Sequence, residues 1–265
     1  MKSFKTFINE EQELLLMSAA SDQFENKIAN ALVEMGLDAS RPRVDSTYSD
    51  VLVNNPKGRI KKVWIEVKMN HTDNLGNTRA SYDGKKWFSS PEKAGPLKGR
   101  MGPLKVYIAD MLKKHAGKFV KDIQDATGKT KINTNKGPQQ NDPDTVSHAE
   151  MKDYMKKQRD QYIVTVPNQD LGQVVVDHYS KGGKTEAAYY LQAKDDFYML
   201  GTENPLNVPK DVPQFEGRGD FRMRVGIRSS MYEIQPEVKV KNMKDSPYSL
   251  MPGTKKKNPF EGLKK

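Results

Sequence analysis

The chain has 265 residues, with 44 lysines and arginines against 34 aspartates and glutamates, so its formal net charge is +10 and its sequence pI is near 9.4. This charge favours an acidic partner, and nucleic acid is the first one to expect. The sequence contains no cysteine, which excludes disulfide scaffolds, thiol catalysis, iron–sulfur clusters and cysteine-ligated zinc. Its four histidines are dispersed along the chain, so a metal site would be built from oxygen ligands.

The N-terminal residues favour a protein that stays in the compartment where it is made. Glu10, Glu11 and Glu13 stand where a signal peptide would be apolar. No run of about 18 apolar residues occurs in the sequence. We therefore expect a cytoplasmic protein without a membrane partner.

The first predicted elements are a helix and a hairpin. Apolar residues recur at helical spacing over residues 21–36, and Gly36 supplies a stop signal. Two short apolar runs follow at 48–53 and 63–69. They flank the sequence Asn-Asn-Pro-Lys-Gly at 54–58, whose residues are typical of a reversing turn.

The rest of the chain predicts a mixture of helices, strands and irregular stretches. Residues 71–103 are rich in Gly, Pro, Asn and Ser and are expected to form a long functional loop or irregular insertion. A helix is predicted over 104–127, followed by a polar and mobile stretch over 128–147. Further predicted elements are a helix at 148–158, a strand at 162–166, a helix at 185–194 and a strand at 221–228. This mixture indicates an α/β or α+β fold.

Charged residues inside the two hairpin strands are the strongest functional signal in the sequence. Desolvating such groups is costly unless they are paired. Because side chains alternate along a strand, Glu66 and Lys68 project from one face, and the other face, toward the core, carries Val63, Ile65, Val67 and Met69. If Asp50 stands beside them on the neighbouring strand, two carboxylates and one ammonium converge, which suits Mg²⁺ and a water molecule.

Asp50 followed by Glu66-Val67-Lys68 resembles the PD-(D/E)XK motif of the restriction-endonuclease-like nuclease superfamily, with Ser49 where the motif has proline. The resemblance implies a core with a central mixed sheet flanked by helices. It also implies an Mg²⁺-dependent endonuclease that hydrolyses phosphodiester bonds in DNA, with Mn²⁺ able to replace Mg²⁺. Asp50, Glu66 and the backbone carbonyl of Val67 would bind the metal, and Lys68 would orient or activate the attacking water.

Glu25 is a further carboxylate that the resemblance, which covers about residues 21–70, adds to the site. Members of the superfamily often carry an acidic residue on the helix before the hairpin, so Glu25 is implied to take part in catalysis and metal binding. The alternative for Glu25 is a capping box, because Asp22 and Glu25 have its spacing. The alternative for the hairpin itself is an ordinary solvated edge.

Two other patterns suggest contacts with DNA. Strict alternation places Arg222, Arg224 and Arg228 on one face of a strand, about 7 Å apart for successive positions, which suits phosphates or guanine edges. The alternative is a half-buried strand with a solvated face. Gln158 and Tyr162 match a short motif that contacts DNA in RecB-like members of the superfamily.

These patterns predict a linear organisation, which assigns residues 1–20 to an N-terminal segment, 21–170 to a nuclease core with the insertion 71–103, 171–251 to a β-rich DNA-recognition region, and 252–265 to a basic disordered tail. DNA is the expected partner, in a bacterial or phage-infected cell, and a homodimer would fit cleavage of both strands. Two alternatives stay open. One is a basic nucleic-acid-binding protein without catalysis, and the other is an interaction module of a replication or recombination complex.

Overall fold

The computed structural model describes residues 4–42, 48–69, 72–73, 80–82, 87–89, 97–115, 117–132, 142–157, 161–228 and 231–261. Within these ranges the chain has a mixed α/β fold. The helices are α1 Phe4–Glu34, α2 Pro103–His115, α3 Gly117–Thr127, α4 His148–Lys157 and α5 Gly172–Ser180. The strands are β1 Asp38–Ser40, β2 Val51–Asn54, β3 Lys62–Lys68, β4 Thr72–Asp73, β5 Ala80–Tyr82, β6 Trp87–Ser89, β7 Lys131–Ile132, β8 Thr145–Val146, β9 Gln161–Asp170, β10 Ala188–Ala193, β11 Asp196–Met199, β12 Gly217–Arg228 and β13 Met231–Met243.

The chain divides into two compact units, and neither is a single stretch of sequence. Unit 1 consists of Met1–His71, Lys184–Phe215 and Lys244–Lys265, and unit 2 of Thr72–Gly183 and Glu216–Met243. The sequence predicts domains that are continuous stretches of the chain. The compact units are instead discontinuous, and their segments alternate along the sequence.

Unit 1 is built on a five-stranded mixed sheet with the strand order β1-β2-β3-β10-β11. Neighbouring strands are antiparallel except β3 and β10, which are parallel. The predicted hairpin is confirmed as β2 and β3, in which Val51 pairs with Ile65. Its turn is closed by the Gly58 N–H, which donates to the Asn55 carbonyl at 3.0 Å.

Helix α1 covers one face of this sheet. The expected apolar stripe is present, because Ile28 and Leu32 are fully buried in one cluster with Val63, Ile65 and Val67 of β3. This arrangement confirms that alternate residues of β3 point into the core. It also fixes the side from which Glu66 and Lys68 project, since they occupy the opposite positions in the alternation.

The predicted helix over 21–36 is confirmed, although α1 begins much earlier and ends at Glu34. The Gly36 N–H donates to the Val33 carbonyl at 2.8 Å, and the Leu37 N–H donates to the Leu32 carbonyl at 3.1 Å. Gly36 has a φ of +86°. This is the Schellman termination, in which a glycine takes the left-handed conformation that other residues avoid.

Unit 2 contains an antiparallel sheet of order β4-β13-β12-β9 and the short pairs β5–β6 and β7–β8. The predicted strands at 162–166 and 221–228 are confirmed within β9 and β12, and the predicted helix at 148–158 is confirmed as α4. The helix predicted over 104–127 is confirmed in the described residues as α2 and α3, which lie on either side of residue 116, outside the described ranges. Within 71–103 and 128–147, part of the described chain forms the short strands β4 to β8 where irregular structure was expected, whereas residues 97–102 and 142–144 lie outside helices and strands.

The predicted helix over 185–194 is wrong, because these residues form strand β10. Five of its six residues are buried, so the strand has no exposed face and shows no alternation of polar and apolar residues. A short buried strand of this kind cannot be distinguished from a buried helix by periodicity. Helix α5, which the sequence pattern did not predict, precedes it.

The structure differs from the disorder predicted for 252–265, of which 252–261 are described. Phe260 is 2% exposed and belongs to the core of unit 1. The Lys257 N–H donates to the Pro247 carbonyl, and the Lys256 ammonium lies 2.5 Å from Oδ1 of Asp196. The high lysine content of this segment indicates disorder, although the segment also contains the core residue Phe260.

No helix in the described ranges is both long enough and apolar enough to span a bilayer.

Candidate active site

Strands β2 and β3 bring the first two predicted site residues together in unit 1. Asp50 immediately precedes β2, and the pairing of Val51 with Ile65 continues to place it beside Glu66. Oδ2 of Asp50 accepts a hydrogen bond of 2.8 Å from the Val67 N–H. The carboxylate of Asp50 is therefore held against β3 by the backbone and does not point freely into solvent.

Glu66 is fully buried and lies between two lysine ammonium groups. Nζ of Lys68 is 2.5 Å from Oε1 of Glu66, and Nζ of Lys184 is 3.7 Å from Oε2. Lys184 is itself anchored, because its ammonium donates to the Tyr48 carbonyl at 3.1 Å. Strand β3 lies inside the sheet between β2 and β10, which contradicts the alternative of a solvated edge hairpin.

The two carboxylates have opposite pKa shifts. Burial and the negative charge of Glu66 raise the pKa of Asp50 to about 7, against the smaller lowering effect of Lys68. Burial by itself would also raise the pKa of Glu66, but the charges of Lys68 and Lys184 outweigh it and lower the pKa below its ordinary value. The pair thus combines a firmly ionised carboxylate with one that exchanges its proton near neutral pH.

Glu25 lies at the edge of this site and is engaged by arginine. Its Oε2 accepts from Nε of Arg41 at 2.5 Å, and its Oε1 accepts from the Ser21 hydroxyl at 3.0 Å. Because α1 begins at Phe4, Asp22 and Glu25 lie in the helix interior, which contradicts the capping-box alternative. The negative charge of Glu25 nevertheless contributes to raising the pKa of Asp50, so the two carboxylates are within electrostatic reach.

The carboxylates of Asp50 and Glu66 are the oxygen ligands that a hard divalent cation prefers, but two side chains are fewer than such a cation usually binds. The crowding that raises the pKa of Asp50 is the repulsion that a cation between carboxylates would relieve. Lys68 contacts Oε1 of Glu66 and Lys184 lies 3.7 Å from Oε2, and a carboxylate with about four lone-pair positions keeps further capacity to accept. Among those residues no three histidine, aspartate or glutamate side chains form a group suited to a metal ion. The set is therefore Asp50 and Glu66, completed by backbone and water.

Sequence reasoning missed two residues of this site. Lys184 lies more than 100 residues from Glu66 along the chain, so no local pattern indicated their contact. Arg41 stands before a loop, and nothing in the pattern linked it to Glu25. Both contacts depend on how the chain returns to the sheet, which short sequence patterns do not encode.

The predicted DNA-contacting residues belong to unit 2 or fall outside the description. Arg222, Arg224 and Arg228 lie in β12, and Phe221 beside them is fully buried, as the predicted alternation requires. Arg222 is partly exposed, while the side chains of Arg224 and Arg228 are not described. Tyr162 lies in β9 without a described side chain.

Gln158 lies outside the described residues, so the DNA-contacting motif that it forms with Tyr162 in the sequence stays a prediction. Val67 holds a core position in β3 and donates its N–H to Asp50, and the predicted role of its carbonyl stays a prediction.

No protein-family model, curated protein or solved structure matches this chain.

Proposed function

We propose that the protein is an Mg²⁺-dependent DNA endonuclease with a restriction-endonuclease-like core in unit 1. The observation that carries this proposal is the meeting of Asp50, Glu66 and Lys68 beside a hairpin covered by α1. These residue types at this spacing resemble the PD-(D/E)XK motif. The net charge of +10 supports a polyanionic substrate.

In the proposed reaction, each residue acts through its observed environment. Asp50 and Glu66 would hold the metal, which would stabilise the negative charge that develops on the phosphoryl oxygens and the leaving 3′-oxygen. Lys68 is an ammonium in contact with Glu66, so it would orient the attacking water and donate to a phosphoryl oxygen. Lys184 keeps Glu66 ionised from the other side without forming a close contact. Glu25, held by Arg41, would act through its charge on Asp50.

The test is cleavage of supercoiled and linear DNA by the purified protein with Mg²⁺, with EDTA added in a parallel reaction. Lys68→Ala should lower the cleavage rate by about 100-fold while DNA affinity changes little, because the ammonium acts on charge that develops during the reaction. Lys62→Ala, at the exposed opposite end of the same strand, is the matched control and should cleave like the wild type. Cleavage that persists in Lys68→Ala and Asp50→Asn would overturn the proposal.

A nucleic-acid-binding protein without catalysis is the second candidate, and the basic composition favours it equally. Binding that does not depend on metal, combined with intact DNA after prolonged incubation, would identify it. Binding that depends only weakly on salt would instead favour a protein-interaction module.

A further inference from the structure

Lys194 has a backbone conformation that lysine rarely adopts. Its φ is +51°, in the left-handed region. The other non-glycine residues with positive φ in the described chain are Asn168 and Asn207, and asparagine tolerates this region well. Ala193 pairs with Asp196, so Lys194 is the first residue of a two-residue turn between β10 and β11. Positive φ at such a position usually selects glycine.

Two backbone hydrogen bonds hold Lys194 in place. Its N–H donates to the Lys68 carbonyl at 2.7 Å, and its carbonyl accepts from Nε2 of Gln192 at 2.7 Å. Gln192 is fully buried, and its Oε1 accepts from the Leu250 N–H at 2.9 Å. The surrounding structure therefore imposes the conformation, which is how an unfavourable backbone persists in a folded protein.

Lys194 lies next to the candidate active site. Strands β3 and β10 are parallel neighbours, and Ala193 pairs with Lys68, so Lys194 follows directly at the same end of the sheet. Its side chain is exposed. Among the described residues no carboxylate forms an ion pair with its ammonium, whereas Lys68 and Lys184 both lie against Glu66.

We propose that Lys194 is a substrate-binding residue that contacts a DNA phosphate next to the one that is cleaved. This inference rests on the proposed function. Neighbouring strands lie about 4.8 Å apart, and phosphates of one DNA strand recur every ~3.4 Å along the helix axis. Because the Lys194 N–H donates to the Lys68 carbonyl at 2.7 Å, the two backbones are adjacent, and the long exposed side chain of Lys194 reaches a phosphate next to the one that Lys68 contacts. Glycine would fit the turn better, so the charge of the lysine accounts for the conformation that the protein maintains.

The test compares Lys194→Gly and Lys194→Arg with the wild type, as complete proteins. Lys194→Gly removes the charge and suits the turn, so its melting temperature should rise. Its DNA affinity in EDTA at low salt should fall about tenfold. The plot of the logarithm of the DNA association constant against log[salt] should become less steep by about 0.9, because one phosphate contact is lost. With Mg²⁺, KM should rise while kcat changes little. Lys194→Arg should restore affinity and slope.

The matched control is Lys255→Gly, which removes another exposed lysine of unit 1 and should leave KM near the wild-type value. If Lys194→Gly is stabilised but keeps the wild-type salt slope and KM, Lys194 is only a turn residue and the inference fails. The binding measurement needs no cleavage, so the two proposals can fail separately. A wild type that binds DNA without cutting it overturns the nuclease proposal alone, and a wild type that does not bind DNA overturns both.

Discussion

Asp50 illustrates how a partly buried carboxylate links the proposed activity to stability. Its pKa is raised to about 7 in the folded protein, whereas an unfolded chain titrates it near its ordinary value of 3.8. Between these pH values the native state binds more protons, so the contribution of Asp50 to stability is complete below about pH 4 and is lost as the pH rises through 7. The charged form that the proposed metal binding would need is thus the less stable one.

Asp50→Asn should therefore stabilise the metal-free protein at pH 8, on the order of 2 kcal/mol, and much less at pH 5. The amide oxygen of asparagine can still accept from the Val67 N–H, so the local hydrogen bond is preserved. Urea denaturation at both pH values measures the difference. Asp38→Asn, which changes an exposed carboxylate in β1 of the same sheet, is the control and should alter the stability at pH 8 by much less.

Mg²⁺ should reverse this order of stability. A ligand that binds only the native state stabilises it by RT ln(1 + [L]/Kd), so Mg²⁺ should raise the unfolding free energy of the wild type and not that of Asp50→Asn. Repeating the pH 8 denaturation with and without Mg²⁺ checks this. Equal stabilisation of both proteins would show that the ion binds elsewhere.

Lys184 offers a second test at the residue scale. Lys184→Met keeps the stem but removes one of two charges that face the buried Glu66, so it should destabilise the fold by about 1–3 kcal/mol. Chemical denaturation at pH 8 measures the effect. Lys181→Met, whose ammonium pairs with Asp177 on an exposed helix end, should cost less than about 0.5 kcal/mol. Equal costs for the two variants would contradict the role of Lys184.

The sequence predicted that Asp50, Glu66 and Lys68 lie close together. This was possible because strand alternation and the turn at 54–58 are determined by local sequence. It could not identify Lys184, since that residue reaches Glu66 only through the parallel pairing of β3 and β10. Glu25 shows the same limit, because its helix was predicted but its pairing with Arg41 was not.

At the scale of elements, the end of α1 determines where β1 begins. Gly36→Ala should destabilise unit 1 by about 1–2 kcal/mol, because a Cβ at φ +86° is strained even though no atom lies within 4 Å of it. Thermal or urea unfolding followed by circular dichroism measures the loss. Gly117→Ala, in α3 with equal space and no positive φ, should be neutral or stabilising. A loss as large as that of Gly36→Ala would contradict this explanation.

The hairpin and α1 were predictable as elements, and β10 was not. The difference lies in burial, since α1 exposes one face and shows a helical period. Strand β10 is enclosed by β3 and β11 and is buried at Ala188 and along its last four residues, so its composition carries no period.

At the scale of the whole molecule, the basic segment after residue 251 completes a core. Phe260→Ala should cost about 3–5 kcal/mol, because the ring packs against Phe197 and is almost fully buried. Fluorescence of the buried Trp64 during urea unfolding would measure this loss of stability. Lys255→Ala, an exposed change in the same segment, should have little effect. Wild-type stability in Phe260→Ala would show that the segment is dispensable.

The alternation of the two units along the chain has a consequence for synthesis on the ribosome. Glu66 pairs with Leu191, so β3 emerges with its partner strand still untranslated, and at ~5–20 residues per second the wait is roughly 10 s. The counter-charge from Lys184 arrives with that strand, and Phe260 later still. A nascent chain therefore cannot bring Lys184 to Glu66 before the segment that carries Lys184 and β10 has been synthesised, so the candidate site forms late.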